Sequence, residues 1–257
     1  MQFSKLIVEK EAGYIVAFIN NPPANALSTG VLSDLDQLLD ECLEDNEVRA
    51  IVITGSGEKV FSAGADISEF DDIRAGKIPT SIGQNLFNKI ENYPKPIIAA
   101  IQGSAFGGGN ELMMSCHLRI LSSSATLALP EVRLGITTGW GGTQRLPRSI
   151  GKARALELLL TGDPISPEDA LNFGLVNKVV PAEEVLVEGK KLAGRLAKGA
   201  PIAIREFLRE VTQGLNTSLE QGLAIEREGS AAVFASEDAR EGVAAFFEKR
   251  TPHFTGK

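Results

Sequence analysis

The chain has 257 residues, of which 43% are hydrophobic, and its formal net charge is −7. This length suits one large domain, or one domain with a smaller appendage, and the apolar content allows a substantial core. The negative charge disfavours a nucleic-acid partner, because binding to phosphate groups requires a basic surface. Cys42 and Cys116 form neither a CxxC motif nor a paired framework, which predicts free thiols in a reducing compartment.

The sequence predicts neither a targeting segment nor a membrane span. Residues 1–5 lead directly into an alternating segment, without the basic region and apolar core of a signal peptide. No apolar run approaches the ~20 residues that cross a bilayer. We therefore expect a soluble, cytoplasmic protein without a membrane partner.

The chain opens with a predicted hairpin and a predicted helix. Residues 6–8 and 14–19 are strand-like and flank a turn at 11–13. Ser28 and Thr29 are candidate caps of the helix that follows. Its apolar residues recur at helical spacing and are Leu32, Leu35, Leu38, Leu39 and Leu43.

Two later strands are almost entirely apolar. They cover residues 50–54 and 97–101, and such strands are typical of a sheet that is covered on both faces. Each is followed by a glycine-rich turn and then by a helical pattern. This repeated order of strand, turn and helix predicts an α/β fold.

After Pro181 the sequence predicts helices and little strand. The predicted helices cover residues 183–198, 201–213, 217–235 and 237–249. We therefore predict an α/β core with the active site over residues 1–195. Residues 196–257 are predicted to form a helical C-terminal region that packs on the core or on a neighbouring subunit.

Several common catalytic motifs are missing from the sequence. It contains no GxSxG, no HExxH and no GxxxxGK[ST], and the glycines at 107–109 do not extend to GxGxxG. His117 opens an apolar strand, where a packing role is favoured over catalysis, and His253 is expected to be exposed. The sequence therefore lacks the residues of a serine triad, a zinc hydrolase, a P-loop or a dinucleotide-binding site.

Two glycine-rich turns, 61–67 and 103–111, each follow a strand and precede a helical stretch. A helix N-terminus carries unpaired N–H groups and a partial positive charge. Two such turns side by side can aim two amides at one oxygen atom, as an oxyanion hole does. The alternative is that the glycines only permit close packing between neighbouring turns.

Two glutamates lie in apolar surroundings near these turns. Glu111 follows the triple glycine in an apolar helix, and Glu131 lies in the segment 127–135. A carboxylate in apolar company tends to have a raised pKa, which suits acid–base chemistry near neutral pH. The alternatives are a solvated first-turn glutamate at 111 and an ion pair of Glu131 with Arg133 or Arg145.

Taken together, these segments closely resemble the enoyl-CoA hydratase/isomerase (crotonase) family. The segments that carry the resemblance are 61–67, 107–112, 129–135, 141–146, 160–162, 170–176, 240–242 and 247–250. The resemblance covers nearly the whole chain, and the ordered set is far more specific than any single segment. It favours the functional interpretation of the turns and glutamates over the structural alternatives.

The resemblance implies a fold, an assembly and a site. The fold is an α/β spiral of repeated ββα units with a helical C-terminal region, and the assembly is a homotrimer or a homohexamer. The amides of Ala65 and Gly108 are implied to form the oxyanion hole for the thioester carbonyl. The residues implied to contact the acyl-CoA are Gly64, Asp66, Ile67, Ser68, Gly139, Trp140 and Lys249. Among them, the Gly139 amide helps to hold the water, and Lys249 lies near the CoA phosphates, often from a neighbouring subunit.

The reaction that the resemblance implies is the hydration of a trans-2-enoyl-CoA to a 3-hydroxyacyl-CoA. Glu111 acts as base on the water, which adds at C3, and Glu131 supplies a proton to C2. No metal and no cofactor are expected, since coenzyme A is part of the substrate. The alternatives are Δ3,Δ2-enoyl-CoA isomerisation and, more remotely, an RNA-binding member of the fold. The feature behind the last alternative is the basic set Lys190, Lys191, Arg195 and Lys198.

Two residues depart from the family pattern. Thr138 stands where many members have proline, and Trp140 stands where they have a small residue. We expect Trp140 either to narrow the acyl pocket or to face the core or a subunit contact. The polar segment 68–83 is predicted to be either a lid over the substrate or a surface loop.

Overall fold

The computed structural model describes residues 3–257. Its strands form two sheets, a large one of six strands and a small one of three. The strands are β1 (Leu6–Glu11), β2 (Tyr14–Ile19), β3 (Ala50–Gly55), β4 (Val60–Ser62), β5 (Ile97–Ile101), β6 (Ser104–Phe106), β7 (Leu118–Ser122), β8 (Leu127–Ala128) and β9 (Lys178–Val180). The large sheet has the order β1-β2-β3-β5-β7-β9, and the small sheet has the order β4-β6-β8. Among the strand pairs of residues 3–257, only the β1–β2 hairpin is antiparallel, with Leu6 opposite Ile19.

Eleven α-helices accompany the strands within residues 3–257. They are α1 (Thr29–Glu44), α2 (Phe70–Arg74), α3 (Ile82–Glu91), α4 (Gly108–Ser115), α5 (Gly142–Ile150), α6 (Lys152–Thr161), α7 (Pro167–Asn172), α8 (Ala182–Ala197), α9 (Pro201–Gly214), α10 (Leu219–Ala235) and α11 (Glu237–Glu248). Short 3-10 helices cover Ile67–Glu69 and Pro130–Leu134. None of the described helices combines the length and the apolar composition needed to cross a bilayer.

The large sheet is buried on both faces, as the apolar runs predicted. Alternate residues of a strand point to opposite faces. Ile51 and Ile97 belong to the cluster that includes residues of α1, α3 and α4. Val52 and Ile98 belong to a second cluster, completed by α8. Each central strand therefore needs apolar residues at consecutive positions, which removes the alternating pattern of a half-exposed strand.

The order of elements repeats along the chain. β3 and β4 lead to α3, β5 and β6 lead to α4, and β7 and β8 lead to α5. In each repeat, one strand joins the large sheet and the next joins the small sheet. Successive repeats thus advance as a spiral of ββα units, which confirms the predicted fold.

The predicted elements agree with the observed ones to within a few residues. Ser28 caps α1, its hydroxyl accepting a hydrogen bond from Val31 N–H at 3.4 Å. Leu43 is the exception within the helix, because it is exposed. The four C-terminal helices lie at their predicted positions, and the predicted domain boundary at 195/196 lies inside α8, which packs on the large sheet.

His117 has the packing role that its position favoured. Its Nδ1 accepts a hydrogen bond from Ile97 N–H at 2.9 Å, and its Nε2 lies 3.2 Å from the Glu91 carbonyl oxygen. Burial lowers the pKa of the ring to about 4. The imidazole is therefore neutral near pH 7 and joins α3 to β5, while His253 is exposed.

Gly103 provides a test of the contact between the β5–β6 turn and the start of β4. A methyl group at this position would overlap the main chain of Lys59 and Val60, where Ser104 N–H donates to the Lys59 carbonyl at 3.0 Å. Because β4 would have to shift, we expect Gly103→Ala to lower the free energy of unfolding by about 1–3 kcal/mol. Urea unfolding followed by circular dichroism measures the change.

The matched control is Gly194→Ala in α8, where the nearest atom to the new methyl group would be a Tyr14 ring carbon at 3.7 Å. This substitution is expected to be neutral or to stabilise by up to ~1 kcal/mol, since alanine favours a helix interior over glycine. Unchanged stability of Gly103→Ala would contradict the close approach.

Candidate active site

A cavity of about 350 Å³ lies at the carboxyl ends of the small-sheet strands. Residues directly after β4, β6 and β8 line it, because parallel strands end at the same edge of a sheet. Its lining residues are Ala63, Gly64, Ala65, Ile67, Phe70, Ile73, Arg74, Thr80, Gly107, Gly108, Glu111, Pro130, Glu131, Leu134, Ile136, Thr137, Gly139 and Trp140. The small sheet therefore brings three distant segments of the chain to one site.

The two glycine-rich turns meet at this cavity. Gly64 has φ +97°, and a Cβ atom there would lie 3.0 Å from the Gly108 nitrogen. A Cβ atom on Gly108 would lie 3.2 Å from the Ala65 nitrogen. Within residues 3–257, neither the Ala65 nor the Gly108 amide donates a hydrogen bond. The glycines thus permit close packing and also leave two unpaired N–H groups beside the cavity.

Glu111 is held in place by main-chain groups. Its side chain is buried, the residue being 2% exposed, and its Oε1 accepts hydrogen bonds from Trp140 N–H at 2.8 Å and Gly142 N–H at 2.7 Å. Burial raises the pKa of the carboxyl, while these two amides oppose the rise by stabilising the charged form. The alternative of a solvated first-turn glutamate is therefore wrong.

Glu131 faces the same cavity in a different environment. Its Oε2 is buried and has no hydrogen-bond partner in the described part of the chain. Burial, with a further contribution from the charge of Glu111, raises the pKa of Glu131 to about 7. Two amides stabilise the charged form of Glu111 against its burial, whereas none within residues 3–257 reaches Glu131 Oε2, so Glu131 is the carboxyl better suited to keep a proton.

The predicted alternative of an ion pair at Glu131 is wrong. Arg133 instead bonds to Asp163 at 2.7 Å, and Arg145 bonds to Glu91 at 2.8 Å. Arg133 lies on the same 3-10 helix as Glu131 and Arg145 lies on α5, but their guanidinium groups point to other acids. No cation within residues 3–257 therefore lowers the pKa of Glu131.

Arg145 braces the loop that holds Glu111, a role that the sequence did not reveal. Its guanidinium donates to the Trp140 carbonyl at 2.9 Å, to Asn88 Oδ1 at 2.8 Å and to Glu91 Oε2. Asn88 and Glu91 belong to α3, so the loop is tied to a helix on the far side. A sequence signal was present, since Arg145 interrupts the apolar side of α5, but its partners in α3 are more than 50 positions away.

Trp140 packs on the core, which is one of its predicted alternatives, and a narrowing of the acyl pocket stays a prediction. It lines the cavity, yet it is only 8% exposed. Its ring packs edge to face on Phe87, with centroids 5.6 Å apart and planes at 90°. The indole therefore forms a wall between the cavity and the completely buried Phe87.

Of the other predicted contact residues, three line the cavity and three do not. Gly64, Ile67 and Gly139 line the cavity. Asp66 and Ser68 do not, because the Asp66 carboxylate turns back to accept hydrogen bonds from Ser68 N–H at 3.0 Å and Ser68 Oγ at 2.7 Å. Lys249 is exposed at the end of α11 and does not line the cavity either. Contacts of these three with the CoA portion stay a prediction.

The segment 68–83 covers one side of the cavity. Phe70, Ile73, Arg74 and Thr80 contribute to its wall. The segment is anchored at its start, where the Glu69 carboxylate accepts hydrogen bonds from Thr29 N–H at 2.9 Å and Thr29 Oγ1 at 2.8 Å. It is therefore part of the site, although the sequence alone identified none of its apolar wall residues.

Fold and site together define a crotonase-fold protein with paired amides and paired carboxyl groups at one cavity. The chain belongs to the enoyl-CoA hydratase/isomerase family, whose model matches residues 9–257.

Named relatives and solved structures agree with this assignment. A probable enoyl-CoA hydratase from Bacillus subtilis strain 168 is 47% identical, over 94% of this chain and 95% of that protein. A crotonyl-CoA hydratase from Syntrophomonas wolfei is 42% identical, over 100% of both chains. The crystal structure of enoyl-CoA hydratase from Bacillus anthracis superposes with a TM-score of 0.94 at 37% identity, over 99% of this chain and 100% of that chain.

Because the carboxyl of Glu131 is buried without a partner at Oε2, the free energy of unfolding is predicted to depend on pH. The pKa of this carboxyl is about 7 in the folded chain and 4.5 ordinarily, so the folded state loses stability as pH rises from the lower value through the higher one. Glu131→Gln removes this loss. We therefore expect its melting temperature, relative to wild type, to increase between pH 4.5 and pH 7 and to level off above.

Thermal unfolding at a series of pH values measures this difference. Glu168→Gln, at an exposed position of α7, is the control for removing one negative charge. A Glu131→Gln difference that is the same at every pH would contradict the raised pKa.

Proposed function

We propose that this chain is an enoyl-CoA hydratase, which reversibly adds water to a trans-2-enoyl-CoA and gives a 3-hydroxyacyl-CoA. One observation carries the proposal: Glu111 and Glu131 face one cavity from unlike environments, beside two unpaired amides. The hydratase names of the relatives support the same activity.

The geometry supports a specific order of proton transfers. The amides of Ala65 and Gly108 would bind the thioester oxygen, where negative charge develops during attack at C3. The ionised Glu111 takes a proton from water, whose oxygen then bonds to C3. Electrons move through C2 to the thioester oxygen, and Glu131 returns a proton to C2. Each glutamate then exchanges one proton before the next cycle, so the charges balance.

The proposed chemistry needs no metal and no resident cofactor. The thioester accepts the electrons and the two glutamates handle both protons, while coenzyme A enters as part of the substrate. Cys42 and Cys116 are buried free thiols, which supports the proposal of a reducing, cytoplasmic location. The role of Lys249 near the CoA phosphates, from an adjacent copy, is likewise a proposal by family resemblance.

The RNA-binding alternative is not favoured by the charges on α8. Lys190 bonds to Glu9 at 3.1 Å and to Glu11 at 3.0 Å. Lys191 lies 3.6 Å from Glu188. Acidic neighbours thus neutralise much of the basic set that motivated this alternative.

Assembly into a trimer or a hexamer is also proposed, on the basis of exposed apolar side chains. Those on α9, α10 and α11, with Leu215 directly after α9, are Phe207, Val211, Leu215, Leu219, Leu223, Phe234, Val243, Phe246 and Phe247. Soluble monomers rarely expose a large apolar patch. These helices are therefore the proposed contact region between copies.

Replacing either glutamate tests the mechanism. Glu111→Gln and Glu131→Gln are each expected to lower kcat by ~10²–10⁴, as the loss of a general acid or base does. The assay follows the loss of the conjugated enoyl-thioester absorbance of crotonyl-CoA. Glu168→Gln is the control at an exposed glutamate, and near wild-type rates in both site variants would contradict the mechanism.

The same assay separates hydration from isomerisation. Isomerisation moves a proton between C2 and C4 and needs no second glutamate to activate water. If wild type leaves crotonyl-CoA unchanged while a 3-enoyl-CoA gains the conjugated absorbance, the isomerase is the correct assignment and the hydratase is not.

Charge placed in the exposed helical region tests the assembly. Phe207 and Phe234 line a groove between α9 and α10. We expect the double variant Phe207→Glu/Phe234→Glu to sediment as a monomer, because carboxylates are costly to bury in an apolar contact. Val187→Glu, at an exposed apolar position of α8, is the matched control. A wild-type chain that sediments as a monomer would contradict the proposal.

A further inference from the structure

We propose that Trp140 is the residue that limits this enzyme to short acyl chains. The inference rests on the proposed hydratase function and adds a substrate class to it. It follows from where the indole lies relative to the reacting groups and from how firmly it is held.

The indole lies beside the groups that would bind the reacting atoms. The main-chain N–H of Trp140 donates to Glu111, the proposed base. On its other side, the ring approaches Gly108, where a Cβ atom would lie 2.6 Å from the indole Cζ3. A substrate with its carbonyl oxygen at the Gly108 amide and its C3 near Glu111 therefore has Trp140 as its neighbour.

The two ends of the cavity differ in exposure. Ile67, Leu134 and Ile136 are exposed and form its open side, whereas Trp140 closes it in front of the buried Phe87. The CoA portion is large and polar and requires the open side. Because the double bond is trans, C4 and later carbons extend away from the thioester and so towards the closed side. Their path ends at the indole.

The ring has no room to retreat. Gly83 of α3 lies against it so closely that a methyl group at 83 would overlap the indole. The main chain of Trp140 is held on both sides, since its N–H donates to Glu111 and its carbonyl accepts from Arg145 at 2.9 Å. A longer acyl chain therefore meets a fixed wall. Moving that wall would also disturb the bonds to Glu111.

The test is a chain-length profile of kcat/KM for straight-chain 2-enoyl-CoA esters from four to about twelve carbons. Wild type is expected to lose at least about tenfold in kcat/KM between the four-carbon and ten-carbon esters. Trp140→Ala is expected to raise the ratio of ten-carbon to four-carbon kcat/KM by about 10–100-fold, and Trp140→Phe by less. Leu134→Ala, at the open side, is the matched control and is expected to leave this ratio unchanged.

The outcomes are distinct. Equal kcat/KM of wild type for short and long esters would overturn the inference, whatever happens to the variants. So would an unchanged profile in a folded Trp140→Ala enzyme that still hydrates the four-carbon ester; in both cases the hydratase function stands. If wild type hydrates no ester, the proposed function fails, and the inference fails with it.

Discussion

Two main-chain hydrogen bonds to Glu111 are the constraint on which the site depends. A carboxylate enclosed by apolar atoms ordinarily becomes neutral, because burial penalises its charge. The N–H groups of Trp140 and Gly142 oppose that penalty and fix the side chain. The same bonds fix the loop that carries Trp140, and Arg145 ties this loop to α3. The proposed base and the proposed wall of the acyl pocket are therefore parts of one hydrogen-bonded unit.

The fold leaves other groups at the cavity without partners. The amides of Ala65 and Gly108 donate to no atom of residues 3–257, and Glu131 Oε2 is buried without a bond. A buried polar group without a partner costs about 1–3 kcal/mol. The two buried faces of the large sheet offset this cost. In the proposed reaction the two amides would bind the thioester oxygen and Glu131 would contact the water. Active sites commonly keep such destabilising groups because the substrate satisfies them.

The fold could be predicted where the chain has strong periodicity or long apolar runs. Strands β3 and β5 and the C-terminal helices are of this kind, and the ordered motifs specified the ββα spiral. The small sheet was hidden because β4, β6 and β8 have only two or three residues each, too few to show a period. This small sheet is nevertheless what gathers the turns at the cavity. Motif resemblance supplied their proximity, which local sequence physics could not.

The candidate site also has features that the sequence predicts and features that it does not. Glycine-rich turns and glutamates among apolar residues can be recognised in a sequence, and both kinds of residue line the cavity. The brace through Arg145 and the anchor between Glu69 and Thr29 join residues more than 35 positions apart, so local pattern could not reveal them. Asp66 was associated with the substrate because it lies inside a motif. Its carboxylate closes a turn with Ser68, and its contact with the substrate stays a prediction. A motif therefore identifies a segment of the site, while the direction of each side chain depends on local hydrogen bonds.

The proposed mechanism requires that Glu131 keeps its proton up to near-neutral pH. Infrared difference spectroscopy can observe the carbonyl band of a protonated carboxylic acid directly. The measurement is the pH dependence of that band in wild type minus Glu131→Gln. The account predicts that the Glu131 band disappears with a midpoint near pH 7. A midpoint near the ordinary glutamate value of 4.5 would contradict it, because both carboxyl groups would then be ionised at neutral pH.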